Sequence, residues 1–202
     1  MLEKALGGDV RMTNIVDEVL ISNTHREGRF TQYNMERLLS DMKTADEEKS
    51  DLLVVTCSSL TPYVLELRES IRTPLITIDV DMCRRAAEEG SVITVLATAP
   101  TAVAPVVNRI EENLKRRGKN AFLSSALTED AMTALKNGNT DLHDSLLVSL
   151  AETFPDTDLF VLAQASMVTA QHRIENATGK RVLSSPESCI EEVVRFYRER
   201  GE

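Results

Sequence analysis

Asp51-Leu-Leu-Val-Val-Thr-Cys57-Ser-Ser-Leu60 returns 107 residues later as Asp158-Leu-Phe-Val-Leu-Ala-Gln164-Ala-Ser-Met167. Each stretch opens on an aspartate, runs through β-branched and aliphatic residues, and closes on small polar ones. A short, near-continuous apolar run suits a strand covered on both faces of a parallel sheet. The polar residues then stand at two equivalent strand ends. The repeat breaks at one position, where residue 57 carries a thiol and residue 164 an amide.

The same pattern extends in both directions. Apolar runs at Val10–Val16, Leu52–Thr56, Leu75–Ile78, Val92–Ala97, Ala121–Ala126, Leu159–Ala163 and Val182–Leu183 read as strands. Helical periodicity marks Gln32–Ala45, Thr61–Ser70, Val103–Arg117, Asp141–Thr153 and Glu187–Arg200. In the last, Ile190, Val193, Val194 and Tyr197 recur at three- and four-residue spacing, which forms one buried face. Alternating strands and helices predict an α/β fold with right-handed crossovers. Further matches pair Asn14–Glu18 with Ser125–Glu129 and Asp79–Cys83 with Ser185–Cys189. Two pseudosymmetric parallel-sheet lobes with a cleft between them are therefore expected. The boundaries expected are 1–88 plus 187–202 for the first lobe, with a returning C-terminal helix, and 89–186 for the second. Val92–Thr101 has no counterpart in the first half; its match would fall before Met1, so the first lobe is expected to lack a strand.

Composition narrows the function. A net charge of −9 argues against nucleic acid as a partner, since phosphate binding needs a positive field. No apolar run approaches the roughly 18–20 residues that span a bilayer, and no signal-like apolar core opens the chain. Cys57, Cys83 and Cys189 are an odd set without CxxC pairing, and His25, His143 and His172 form no HExxH-like pair. Neither a metal site nor a disulfide framework is expected, and a reducing cytoplasm is the expected location.

Four strand ends carry the candidate chemistry. Thr56-Cys57-Ser58-Ser59-Leu60-Thr61-Pro62 leads from a strand into a helix, with Ser59 and Thr61 as candidate N-caps and Pro62 suited to the first helical position. Cys57 there meets backbone N–H groups and the positive end of a helix, a setting for a reactive thiol. Ala97-Thr98-Ala99-Pro100-Thr101 has the same layout, and its hydroxyls and N–H groups can hold a carboxylate; capping by Thr101 is the plainer alternative. Gln164-Ala165-Ser166 occupies a third end. Gln164 donates and accepts hydrogen bonds but does not ionise, so it can orient a substrate without serving as an acid or base. Leu183–Ser188 is the fourth, where capping alone accounts for the serines. Asp79 and Asp81 read as caps, Cys83 and Cys189 as core, and His25 as part of a polar loop.

Val55-Thr-Cys57-Ser-Ser, Leu96-Ala-Thr98-Ala-Pro-Thr101, Leu162-Ala-Gln164-Ala-Ser166-Met and Val182-Leu-Ser-Ser-Pro-Glu-Ser together resemble the aspartate/glutamate/hydantoin racemase family. The resemblance implies cofactor-independent proton transfer at a carbon next to a carboxylate or carbonyl. It also implies a small carboxylate-bearing or hydantoin-like substrate, and a homodimer. In such racemases one cysteine removes the proton and a second delivers it to the opposite face. Cys57 matches the first, and Gln164 stands where the second is expected. Ser58, Ser59, Thr98, Ala99, Thr101, Ala165 and Ser166 are the substrate-binding positions this implies. A single thiol suits decarboxylation, isomerisation or one-base chemistry as well as racemisation, and a non-catalytic carboxylate-binding protein is the alternative outside enzymology.

Overall fold

The computed structural model describes residues 2–7 and 10–200. In chain order the elements are α1 (Leu2–Ala5), α2 (Glu18–Glu27), α3 (Gln32–Glu47), β1 (Leu53–Val55), α4 (Thr61–Glu66), β2 (Leu75–Thr77), α5 (Val80–Glu89), β3 (Val92–Ala97), α6 (Pro100–Arg117), β4 (Phe122–Leu127), α7 (Glu129–Lys136), α8 (Thr140–Glu152), β5 (Leu159–Leu162), α9 (Gln171–Thr178), β6 (Arg181–Ser184) and α10 (Ser185–Arg200). Short 3₁₀ turns cover Ser58–Leu60, Arg68–Ser70 and Ala165–Ala170. Among the described residues no helix is long and apolar enough to cross a membrane.

The chain divides into two compact units, Met1–Val55 with Leu60–Ile76, and Thr56–Ser59 with Thr77–Glu202. The sequence places the boundary near residue 88 and returns the last helix to the first lobe. The observed division falls at 76/77 and keeps residues 77–88 and α10 with the second unit. The cause is packing: the apolar side of α5 (Met82, Cys83, Ala86, Ala87) joins the core formed by β3, β5 and α6, and α10 lies against α5.

The second unit holds a four-stranded parallel sheet in the order β4-β3-β5-β6. The two-residue side-chain period of a strand sorts β5 between two cores. Leu159, Val161 and Ala163 face the core shared with α5 and α6. Phe160 and Leu162 face the opposite core with Ala131, Leu147, Ala151 and Ile174 of α7, α8 and α9. The order places consecutive connections on opposite sides of the β3–β5 pair. In open α/β sheets such a switch point leaves a crevice at the carboxyl ends of the strands, where ligands bind. Here those ends are Thr98 and Gln164.

The first unit is smaller. β1 and β2 form a two-stranded sheet, packed with Leu20, Leu38, Met42, Val64 and Ile71. Two sequence expectations fail here. Val10–Val16 is not a strand but irregular chain, with Met12, Ile15 and Val16 exposed. Its counterpart β4 pairs with β3, and among the described residues of the first half no strand stands in the position of β3. An apolar run without a ladder partner has no means of satisfying its backbone as sheet. His25 lies in helix α2, not in a loop. Asp17 accepts the Val19 N–H at its start, and Gly28 closes it in the left-handed region (φ 65°).

Asp46 fastens the end of α3 to the approach to β2. Its carboxylate accepts the Thr73 hydroxyl (2.7 Å) and the backbone N–H groups of Arg72 (3.0 Å) and Thr73 (2.7 Å). These bonds, led by the Thr73 hydroxyl, lower its pKa from 3.8 to about 2. The folded state therefore prefers the ionised carboxyl. The stabilisation is complete above the unfolded value near 4 and is lost as pH falls from there towards 2. Asp46→Asn is expected to lower the melting temperature at pH 7, with the gap from wild type closing as pH approaches 2. A gap constant from pH 7 to pH 2 would show that the charge contributes nothing.

Candidate functional site

All nine positions nominated from the sequence belong to the second unit, because the turn Thr56–Ser59 groups with it. Thr56 alone separates Cys57 from the end of β1, and the chain then enters the 3₁₀ turn Ser58–Leu60 before α4. The predicted caps are absent: Leu60 occupies the N-cap of α4 and no side chain caps it, although Pro62 does sit at the helix start. Ser59 instead donates its hydroxyl to Thr101 Oγ1 at 3.1 Å. This ties the Cys57 turn to the first turn of α6. Ser58 is buried, and its hydroxyl has no hydrogen-bond partner among the described residues.

Cys57 is half-buried, whereas Cys83 and Cys189 are buried. Burial, reinforced by Asp79 and opposed by Arg109, pushes the Cys83 thiol well above its ordinary range. Burial, Glu192 and Asp79 push Cys189 up to about 11. A thiol acts as nucleophile or base through its thiolate, so neither buried cysteine is suited to chemistry near neutral pH. Titration with a bulky aromatic disulfide is expected to modify one thiol per native chain and all three in denaturant. Loss of the native reaction in Cys57→Ala would assign it, and a second fast-reacting thiol would contradict the burial of the other two.

The second cluster joins two strand ends 66 residues apart in sequence. Gln164 Oε1 accepts three hydrogen bonds: from the Thr98 N–H at 2.8 Å, the Ala99 N–H at 3.0 Å and the Thr98 hydroxyl at 3.1 Å. Thr98 is buried and Gln164 half-buried. The N–H groups at a helix start lack intrahelical partners, and here a side-chain carbonyl supplies one. Ala99 is the N-cap of α6 and makes no capping bond of its own, and Pro100 opens the helix. Thr101 therefore serves not as a cap but as the acceptor for Ser59.

Ala165 and Ser166 begin the 3₁₀ turn after β5, Ala165 half-buried and Ser166 exposed. That turn has a support that the sequence did not bring forward. Thr169 donates its hydroxyl to Asp144 Oδ1 at 2.8 Å, and the same oxygen lies 2.7 Å from His143 Nδ1. His143 is fully buried in α8. An adjacent His-Asp pair on the inward face of an amphipathic helix was the available signal. Asp79 occupies the N-cap of α5 but makes no side-chain cap bond, and Asp81, inside the helix, pairs with Arg84 at 2.5 Å.

The arrangement offers one accessible thiol, a turn of hydroxyls beside it, and a fixed carboxamide at the switch point.

Comparison with known proteins gives a family from sequence and a shared fold from solved structures. The Asp/Glu/Hydantoin racemase family model matches residues 13–193. No curated protein sequence matches the chain. Among solved structures, the fold is similar to an aspartate racemase from Picrophilus torridus, with a TM-score of 0.71 at 12% identity over 96% of this chain and 84% of that one. It is also similar to a glutamate racemase from Bacillus anthracis, with a TM-score of 0.64 at 19% identity over 83% of this chain and 66% of that one. Arylmalonate decarboxylase gives a TM-score of 0.51 at 17% identity, over 80% of this chain and 73% of that one. This chain thus spans about two thirds of the glutamate racemase and more of the other two. With the family model covering most of its length, the chain belongs to the Asp/Glu/Hydantoin racemase family.

Proposed function

We propose that this protein is a cofactor-independent enzyme that moves a proton at the carbon next to a carboxylate or carbonyl of a small molecule, with Cys57 as the titrating group. The observation that carries this reading is the contrast among the thiols. Cys57 alone is open to solvent, and it sits in a turn hydrogen-bonded to the start of α6. A proton abstracted at such a carbon leaves an enediolate-like anion, which neutral donors stabilise best when they are fixed in advance. Ser58, Ser59, Thr101, Ala165 and Ser166 are the remaining groups available to hold the substrate oxygens by side chain or backbone.

A second reading, decarboxylation with protonation from one face, is favoured by Gln164. Racemisation by the two-base route needs a titrating group on each face of the planar carbanion, and a carboxamide cannot supply one at neutral pH. The fold is shared with arylmalonate decarboxylase as well as with racemases.

The test is exchange in D2O. Wild-type protein is incubated with D- and L-aspartate, D- and L-glutamate, a 5-substituted hydantoin, allantoin and phenylmalonate, and NMR follows α-deuterium and carbon dioxide loss. Deuterium at the α-carbon with recovered substrate indicates racemase-type transfer; deuterated monoacid from phenylmalonate indicates the decarboxylase. Neither change with any compound, alongside measurable binding, would make this a binding protein of the same fold.

A further inference from the structure

We propose that Gln164 is the group that selects the ligand at this site, acting only as a hydrogen-bond donor, and that the Thr98–Ala99 turn is its mount and not a carboxylate subsite. The inference rests on the function proposed above and refines it. Oxygen and nitrogen of a carboxamide usually have to be assigned from their neighbours. Here the neighbours leave one choice, because two of the three contacts are backbone N–H groups, which only donate. The oxygen is therefore turned into the α6 turn. Oxygen and nitrogen diverge by about 120° at the planar amide carbon, so the NH₂ group points away from that turn. Among the described residues it has no hydrogen-bond partner. Gln164 is fixed at one end and presents two hydrogens at the other.

Two consequences define the ligand. The N–H groups of Thr98 and Ala99, which suit a carboxylate, are already engaged, so a substrate oxygen meets the Gln164 amide hydrogens in their place. The donor is also neutral and cannot give up its proton at physiological pH. It suits an oxygen that keeps or gains negative charge, such as a carboxylate or an enediolate, and disfavours a ligand presenting an N–H or ammonium at that point.

Malonate is the probe, with affinities measured by calorimetry on the whole protein. Gln164→Glu keeps the shape and an oxygen for the mount but replaces the presented NH₂ by an acceptor. It is expected to retain the melting temperature and to weaken malonate binding by about tenfold to a hundredfold, the effect of losing a hydrogen bond to a charged group. Gln164→Ala is expected to weaken binding as well, and to speed hydrogen exchange of the Thr98 and Ala99 amides, which stay protected in wild type and in Gln164→Glu. Tighter malonate binding by Gln164→Ala would overturn the proposal by showing that the amide oxygen merely plugs a carboxylate subsite. Unchanged affinity in Gln164→Glu, or no malonate binding by wild type, would overturn it too. The D2O exchange by wild-type protein reads the proposed activity separately: exchange with unaltered Gln164→Glu binding sinks this inference alone, and the reverse pattern sinks the activity alone.

Discussion

Cys57→Ala is expected to slow α-proton exchange by about 10²–10⁴-fold, the usual contribution of a positioned acid or base. The loss should appear in turnover and leave ligand binding largely intact, because the turn hydroxyls and Gln164 are untouched. Cys83→Ala and Cys189→Ala are the matched controls. Both thiols are buried, and burial holds both in the protonated form. Their removal alters packing on α5 and α10 but not the chemistry. Exchange that survives in Cys57→Ala, measured by deuterium incorporation at the same substrate concentration, would remove the thiol from the mechanism. Exchange lost equally in all three variants would indicate a general loss of structure.

Phe160→Ala is expected to have the largest effect on stability. Phe160 is fully buried at the centre of β5, between β3 and β6, against α7, α8 and α9. Truncating a buried aromatic to a methyl costs about 3–5 kcal/mol, through lost transfer energy and the cavity left behind. Urea unfolding should show a lower midpoint with an unchanged slope for the transition of the second unit. A midpoint equal to that of wild type would mean that this face of the sheet collapses freely around the missing ring. Gln164 stands four residues further along the same chain segment, so the variant should also expose the Thr98 and Ala99 amides sooner during unfolding.

Much of this was legible in the chain because strand ends are written locally. Val92–Ala97 and Leu159–Ala163 read as buried strands from their apolar runs, and the 107-residue repeat reads Cys57 and Gln164 as equivalent positions. What was not legible depended on partners far away in sequence. Val10–Val16 has the apolar character of its counterpart β4, and only the missing ladder makes it irregular. The polar stretch around His25 concealed a helix whose Asp17 and Gly28 termini were the better signal. Ser59, Thr61 and Thr101 each looked like a cap, yet Ser59 and Thr101 are joined to each other across 42 residues. The orientation of the Gln164 amide could not be read at all. It is decided by donors 65 and 66 residues earlier, and nothing adjacent to Gln164 foretells it.

The mount of Gln164 differs from most polar sites in what a mutation can reach. Two of its three donors are main-chain N–H groups at the start of α6, present whatever side chains occupy positions 98 and 99, proline excepted. The socket thus belongs to the backbone, and the residue at position 164 determines what it holds. A single codon just past β5 thus changes the group held in that socket while the scaffold around it stays the same.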